Sequence, residues 1–415
     1  MATDRITRLT IEGMRSIARL DLPLDGLTVL IGENGSGKST ILEACELLRR
    51  ASSQSFLGEV NNLHGGSSRL LRHGAQDLKL GVMLEGDGAP LAYEIALTKN
   101  EHMLRIMGER LVQGPYHGLK IPLLLIERAG TSVEVFAPQG SQKVSAPHDQ
   151  LVLSSAGVFS PHPGFDRMKQ ALARIDMHLP FDVLPVWAAE AHGHAIGARG
   201  RSTLQYVDSL DRFGTNLANA FHKLRTEFSD DHWRTTMDYV RLGLGDRIEA
   251  VTTTVQGRGA IGIELTIRNQ DQRLPITSIS DGMVAYLAFV ALTRLGKGRT
   301  LLAFDEPELH LHPGLLVRVL GFFEAVAEDC PVLLATHSDR LLDALRDPAR
   351  SVRVCEAEES DGATRLRTLD GTALAEWLTD YRGLGDLRTV GYMHMVLKEP
   401  PDEAAGSPPL AEAAL

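Results

Sequence analysis

The chain is poor in cysteine. Its 415 residues hold three, Cys45, Cys330 and Cys355, odd in number and far apart, which excludes both a disulfide framework and a spaced zinc motif. No apolar run reaches the roughly eighteen residues that a membrane helix requires. Met1-Ala2-Thr3-Asp4-Arg5 lacks the apolar stretch of a secretory signal, so a cytoplasmic protein without membrane contact is expected. A basic excess is missing as well. Lys and Arg number 43 against 53 Asp and Glu, a net charge of −10, which argues against wholesale coating of nucleic acid while leaving room for a local basic face. Sustained heptads are absent between residues 100 and 275, where Pro115, Pro122, Pro138, Pro147, Pro161, Pro163, Pro180 and Pro185 would interrupt a coiled coil repeatedly. What is there is 43% hydrophobic and 23% charged, enough to bury a full core in one large or two intergrown domains.

Against these absences stands Gly32-Glu33-Asn34-Gly35-Ser36-Gly37-Lys38-Ser39, entered from the apolar run Leu27–Ile31 and followed by a helix-like stretch from Thr40 to Arg50. A glycine loop between a strand and a helix N-terminus is the setting in which a G-x-x-x-x-G-K-S sequence binds nucleotide phosphates. Gly32, Gly35 and Gly37 permit positive φ, so that successive N–H groups face the phosphates. Lys38 supplies a mobile charge, and Ser39 a hydroxyl for Mg2+. Much later come Ser278-Ile279-Ser280-Asp281-Gly282-Met283, then Leu301-Leu302-Ala303-Phe304-Asp305-Glu306-Pro307, then Ala335-Thr336-His337-Ser338. Asp305 ends a buried strand, where a carboxylate is costly unless it helps to hold a metal. Glu306, pointing the other way, suits the general base for an attacking water. His337 ends a second apolar strand, in place to meet the γ-phosphate or that water. Alone, Ser280-Asp281-Gly282 reads as a turn and His337 as a structural histidine; order and spacing make them one set.

The set resembles the ABC-type ATPases of the RecF/SMC-like branch, and within it stand-alone bacterial proteins described as AAA family ATPases. Ile279-Ser280-Asp281-Gly282-Met283 looks like the cassette signature. Asp305-Glu306-Pro307-Glu308 to Leu311-His312-Pro313 is similar to the Walker B form of this branch, and Thr336-His337-Ser338 to its switch histidine. Phe213-Gly214-Thr215-Asn216-Leu217-Ala218 and Leu384-Gly385-Asp386-Leu387 resemble two further family stretches. The resemblance implies an α/β fold: a P-loop NTPase of ABC type with an N-terminal antiparallel β lobe and an inserted helical subdomain. It also implies ATP and Mg2+ as cofactors, Gly32 to Thr40 around the nucleotide, and Ser280, Asp281 and Gly282 acting on the nucleotide of a partner subunit in a homodimer. Departures concern the Q-loop glutamine, for which Gln76 as a further metal-site residue and Gln54 both remain open, and the signature, with Asp281 and Met283 where transporters carry glycine and glutamine. Lys38 and Asp305 stand more than twice as far apart as in transporter cassettes, which disfavours a transporter subunit.

The expected organisation is residues 1–135 as the first half of the ATPase domain with the β lobe, 136–270 as a mostly helical insert, 271–398 as the second half, and 399–415 as a disordered tail. Strands are predicted at Leu78–Leu84, Leu91–Leu97, Met103–Met107 and Leu123–Ile126, and a surface loop over 51–68. Helical spacing marks Phe165–Met177, Thr215–Phe228, His232–Leu242 and Met283–Leu295. The loop from Ala191 to Arg201 is expected to be mobile, its Arg199 and Arg201 solvated or touching nucleic acid or an acidic partner. His192 with His194, and His310 with His312, have a metal-compatible spacing but no third ligand in sight. Arg15-Ser16 falls at a position beside the nucleotide in the family, and Arg69 or Arg72 is a candidate cis arginine. The stretch after His337 is too short for the Toprim nuclease that some relatives carry. The function expected is therefore an ATP-hydrolysing dimeric switch that controls a separately encoded effector, a nuclease or toxin, in anti-phage defence. The alternative is a RecF-like DNA-binding ATPase of repair or recombination.

Overall fold

The computed structural model describes residues 4–398 apart from 66–68, 115–121, 138–139, 156–161, 186, 189–196 and 297. The expected tail, His192 and His194 lie outside the described residues.

Leu27-Thr28-Val29-Leu30-Ile31 is apolar throughout save for a threonine because it is the interior of a sheet covered on both faces. The central sheet runs, edge to edge, Ile175–His178, Leu301–Asp305, Val332–Ala335, Leu27–Gly32, Val352–Ala357 and Thr364–Thr368. All its pairings are parallel except the last. Alternate residues feed two different cores, as the two-residue period of a strand demands. Leu30, Leu301, Ala303, Leu333 and Ala335 join the core shared with the helix Lys38–Arg50 and the β lobe. Val29, Ile31, Leu302, Phe304, Val332 and Leu334 join the core built around the helix Asp281–Leu295. That helix is buried without a break from Val284 to Leu292, so it is apolar all round rather than striped.

The lobe is an eight-stranded antiparallel sheet in the order Ile17–Pro23, Arg5–Met14, Asp77–Glu85, Leu91–Asn100, Met103–Gln113, Leu123–Ala129, Ser132–Ala137, Gly140–Ser145. Each of the four expected lobe strands is found, extended by a few residues. A fully buried pair holds the lobe to the segment that follows it: Glu109 accepts from the N–H groups of Val152 and Leu153 at 2.6 and 2.7 Å, while Arg128 donates to the carbonyls of Pro147 and Gln150 at 2.7 and 2.6 Å.

Three expectations are corrected. Residues 51–68 are not all loop: Phe56–His64 is a helix that buries Phe56, Leu57 and Val60. Phe165–Met177 is not one helix, because the helix Pro163–Ala173 ends and Ile175–His178 becomes the edge strand of the central sheet. Residues 136–270 thus contain the helices Pro163–Ala173, Leu217–Thr226 and Asp230–Leu244, but also Gly140–Ser145, which carries the lobe past the expected boundary at 135, and a small antiparallel sheet of Ser202–Thr203, Ala260–Ile267 and Ile248–Gln256 to which Leu274–Pro275 adds a fourth strand. The mostly helical reading missed those strands. Among the described residues no helix is long and apolar enough to cross a membrane.

Candidate functional site

The phosphate loop is shaped by close approach as much as by glycine's freedom. Gly37 stands at φ 102° as the N-cap of Lys38–Arg50, and a Cβ there would collide with the side chain of Thr364. Gly32, at φ 147°, lies against the carbonyl of Cys355 in the neighbouring strand. The first turn of the helix has no side-chain cap and no acidic residue, which leaves its N–H groups and the positive end of its dipole for an anion. Lys38 is buried, and its Nζ donates to the carbonyls of Gly32 and Glu33, both at 2.9 Å. Burial holds the Lys38 pKa below its ordinary value. Ser36 Oγ is buried with no partner of its own. An ammonium folded back on its own loop and an orphaned hydroxyl are what a phosphate group would engage.

Asp305 ends the strand Leu301–Asp305 on the side of Leu301 and Ala303, where the helix Lys38–Arg50 lies. Its Oδ2 is 3.4 Å from Ser39 Oγ, so the two oxygen ligands expected for Mg2+ are adjacent. Burial first, then the neighbouring Glu306, raises the Asp305 pKa; a carboxylate in that state is relieved by a nearby cation. Among the described residues no cluster of three or more His, Cys, Asp or Glu could hold a metal. The donor set fits a hard cation that completes its shell with nucleotide oxygens and water.

Glu306 has φ 49°, a left-handed conformation that non-glycine residues adopt at a cost of about 1–3 kcal/mol. Its N–H is held by the Ala335 carbonyl at 2.8 Å, and its Oε1 lies 3.8 Å from His337 Nε2. Sequence reasoning missed the residue that fixes this pair: Glu308 Oε1 accepts from both Thr336 Oγ1 and the His337 N–H at 2.8 Å. It also missed Arg388, whose Nη2 donates to the His337 carbonyl at 2.7 Å and whose Nε meets Asp339 at 2.7 Å. The only signal available was the stretch Leu384-Gly385-Asp386-Leu387. Its Gly385 packs so closely on the Asp339 carbonyl that a Cβ would collide, which seats Arg388 against the switch strand.

The signature residues lie at the start of the helix Asp281–Leu295. Ser280 is exposed and caps the helix by accepting from the Met283 N–H at 3.4 Å. Gly282 lies 3.0 Å, measured to an added Cβ, from the His310 carbonyl, which ties the signature to the turn after Asp305-Glu306. Asp281 turns back to Arg199. Far from being solvated, Arg199 is 2% exposed. The protein's own hydrogen bonds absorb four of the other candidates, His312, Arg72, Ser16 and Arg15. His312 Nδ1 accepts from the Gly314 N–H at 3.2 Å, capping the helix Pro313–Val326. Arg72 donates to the Ser16 carbonyl at 2.9 Å and to Asp361 at 2.8 Å, and Thr364 Oγ1 donates to Ser16 Oγ at 2.8 Å. The Arg15-Ser16 turn is thereby stitched beside Gly37, with Arg15 paired to Glu43 at 2.8 Å. Gln54 falls beyond the far end of the helix Lys38–Arg50, about 20 Å along its axis, whereas Gln76 is exposed at the start of Asp77–Glu85, whose Asp77 carbonyl abuts Gly13.

Two protein-family models match. One described as "AAA domain, putative AbiEii toxin, Type IV TA system" covers residues 189–343, and one described as "AAA domain" covers residues 8–49. The DNA replication and repair protein RecF of Photorhabdus laumondii is 35% identical over 98 residues, 23% of this chain and 25% of that protein. The Old nuclease of Escherichia phage P2 is 32% identical over 95 residues, 22% of this chain and 16% of that protein. The chain therefore matches a quarter or less of the length of these curated relatives. Among solved structures, the SMC head bound to the C-winged helix domain of ScpA aligns with a TM-score of 0.52 at 12% identity, covering 90% of this chain and 99% of that one. An Smc head domain with an extended coiled coil, bound to the C-terminal domain of ScpA derived from Pyrococcus furiosus, aligns with a TM-score of 0.51 at 12% identity, covering 91% and 99%.

Proposed function

The chain has the ABC-type ATPase fold of the RecF/SMC-like branch, and on that premise we propose that it hydrolyses ATP to ADP and phosphate at two composite sites of a head-to-tail homodimer in the cytoplasm. The observation that carries this reading is the contrast between a phosphate loop fully assembled within one chain and a signature serine exposed at a helix end. Lys38 leaves the carbonyls of Gly32 and Glu33 for the β- and γ-phosphates, while the uncapped first turn of its helix faces their charge. Mg2+, when bound, neutralises charge on those phosphates, with Ser39 and Asp305 to hold it and Gln76 as a further candidate. Glu306 accepts the proton of the attacking water. His337, whose backbone is fixed by Glu308 and Arg388, holds that water or the γ-phosphate in line. Ser280 and Gly282 of the second subunit close the site over the γ-phosphate.

The dimer so formed serves as a switch for a separately encoded effector, a nuclease or toxin, in anti-phage defence. The match to a model described by a toxin system and to a phage nuclease supports that role. A DNA-binding ATPase of repair or recombination is the second reading, favoured by the RecF matches. Glu306→Gln is expected to bind ATP, fail to turn it over and accumulate as a dimer, measured by light scattering in saturating Mg-ATP; a monomer there overturns the composite site. Tagged Glu306→Gln, purified from its own host in Mg-ATP, separates the two roles. A stoichiometric nuclease-like or toxin-like protein supports the switch, and nuclease-protected DNA without a protein partner supports the repair reading.

A further inference from the structure

Arg199 is an uncommon residue: an arginine 2% exposed whose contacts join two distant parts of the chain. Nε donates to the Val183 carbonyl at 2.8 Å, and Nη1 to the carbonyls of Ile276 and Ile279 at 3.0 and 2.6 Å. Nη2 donates to Asp281 Oδ1. Val183 and Arg199 belong to segments that already pair with each other, since the Ala198 N–H donates to the Asp182 carbonyl at 2.7 Å. Gly197 sits where a Cβ would collide with Asp182. The other three acceptors bracket the turn Ile276–Ser278 and the first residue of the signature helix. A planar fork with five donors satisfies several carbonyls in different directions at once, which a lysine's single ammonium does not.

Two physical consequences meet at Ser280. Ile279 immediately precedes it, so a hydrogen bond to the Ile279 carbonyl sets the orientation of the peptide from which the serine projects. Asp281 immediately follows it, and an unneutralised carboxylate there would repel the phosphate that Ser280 is to meet. We propose that Arg199 is the positioning residue of the signature, fixing the Ser280-Asp281-Gly282 turn and cancelling the Asp281 charge so that the turn accepts the nucleotide of a second copy of the chain. This rests on the composite-site reading above. It assigns Arg199 no contact with its own subunit's nucleotide.

The test compares Glu306→Gln with Arg199→Met/Glu306→Gln and Arg199→Lys/Glu306→Gln in the full chain. Light scattering in Mg-ATP reports dimer formation, and equilibrium dialysis of radiolabelled ATP at dilute protein reports binding to the monomer. The expected result is that Glu306→Gln dimerises, both Arg199 variants remain monomeric at the same ATP concentration, and monomer binding is unchanged in all three. Arg199→Lys keeps the positive charge, so it separates loss of the fork from loss of the fold should Arg199→Met not fold. Dimers of the Arg199→Lys protein like those of Glu306→Gln overturn the proposal, as does a loss of monomer ATP binding, which would make Arg199 a general structural residue. A Glu306→Gln protein that itself stays monomeric sinks the composite-site reading instead, and the proposal with it.

Discussion

Two helix N-termini in this molecule are built to opposite rules. The helix Lys38–Arg50 begins on a left-handed glycine with no capping side chain and no acid in its first turn. The helix Asp281–Leu295 begins on a capping serine with an aspartate directly after it, and the charge of that aspartate is taken by a buried arginine. The first leaves its N–H groups and the positive end of its dipole open beside the Lys38 ammonium, which donates to the carbonyls of its own loop. The second is a finished helix cap whose hydroxyl still faces solvent. The difference teaches that a capped helix end, its own N–H groups partly satisfied, offers a side chain and a geometry, while an uncapped one offers the dipole and the backbone.

The sharpest way to break the comparison is at the open end. Lys38→Ala is expected to abolish ATP binding and turnover together, whereas Glu306→Gln keeps binding and loses turnover by about 10²–10⁴-fold, the usual worth of a general base; isothermal titration and phosphate release distinguish them. Next in size is Gly37→Ala, which must hold φ 102° against Thr364. It should cost more stability than Gly35→Ala, where φ is 81° but the space is open, and chemical denaturation of the two measures the gap. A moderate effect is expected from Asp305→Asn: because burial raises that carboxyl pKa, the ionised form costs the nucleotide-free fold stability at neutral pH. The asparagine protein should melt higher without ligand yet gain less from Mg-ATP.

The helix behind the phosphate loop gives a pH prediction. Burial alone would raise the Glu46 pKa, but Arg49 and Arg212 outweigh burial and hold it at about 2, against an ordinary 4.5. A depressed carboxyl contributes stability that is complete above pH 4.5 and lost as the pH falls through about 2. The stability gap between the protein and its Glu46→Gln variant should therefore close over that window. Smallest of all, the buried thiols of Cys45, Cys330 and Cys355, each pushed up to about 12, should stay unmodified by a thiol reagent at pH 8 until the chain is unfolded.

Much of the open end was legible in the sequence because it is local: strand, loop and helix are consecutive, and the glycines carry their own conformational meaning. The capped end was only half legible. Ser280 and Gly282 could be placed, but the burial of Arg199 is a tertiary property, and a glycine-rich basic stretch gave no sign of it. Glu308 escaped for the same reason, since its partners Thr336 and His337 directly follow the neighbouring strand Val332–Ala335. The helix Phe56–His64 was hidden by its Ser, Gly and Asn neighbours, although Phe56, Leu57 and Val60 have helical spacing. Ile175–His178 was lost inside a longer helical pattern because only its pairing with Leu301–Asp305 makes it a strand.

The order of the central sheet also sets a timetable for synthesis. Leu27–Gly32 takes its two neighbours from Val332–Ala335 and Val352–Ala357, so the strand that enters the phosphate loop is made long before either flank exists. Pairings this distant in sequence are slow to close. On the ribosome the lobe, whose strands all lie within residues 5–145, can be complete while the loop is still without walls, and the strand that lies against Gly32 is supplied only by Val352–Ala357.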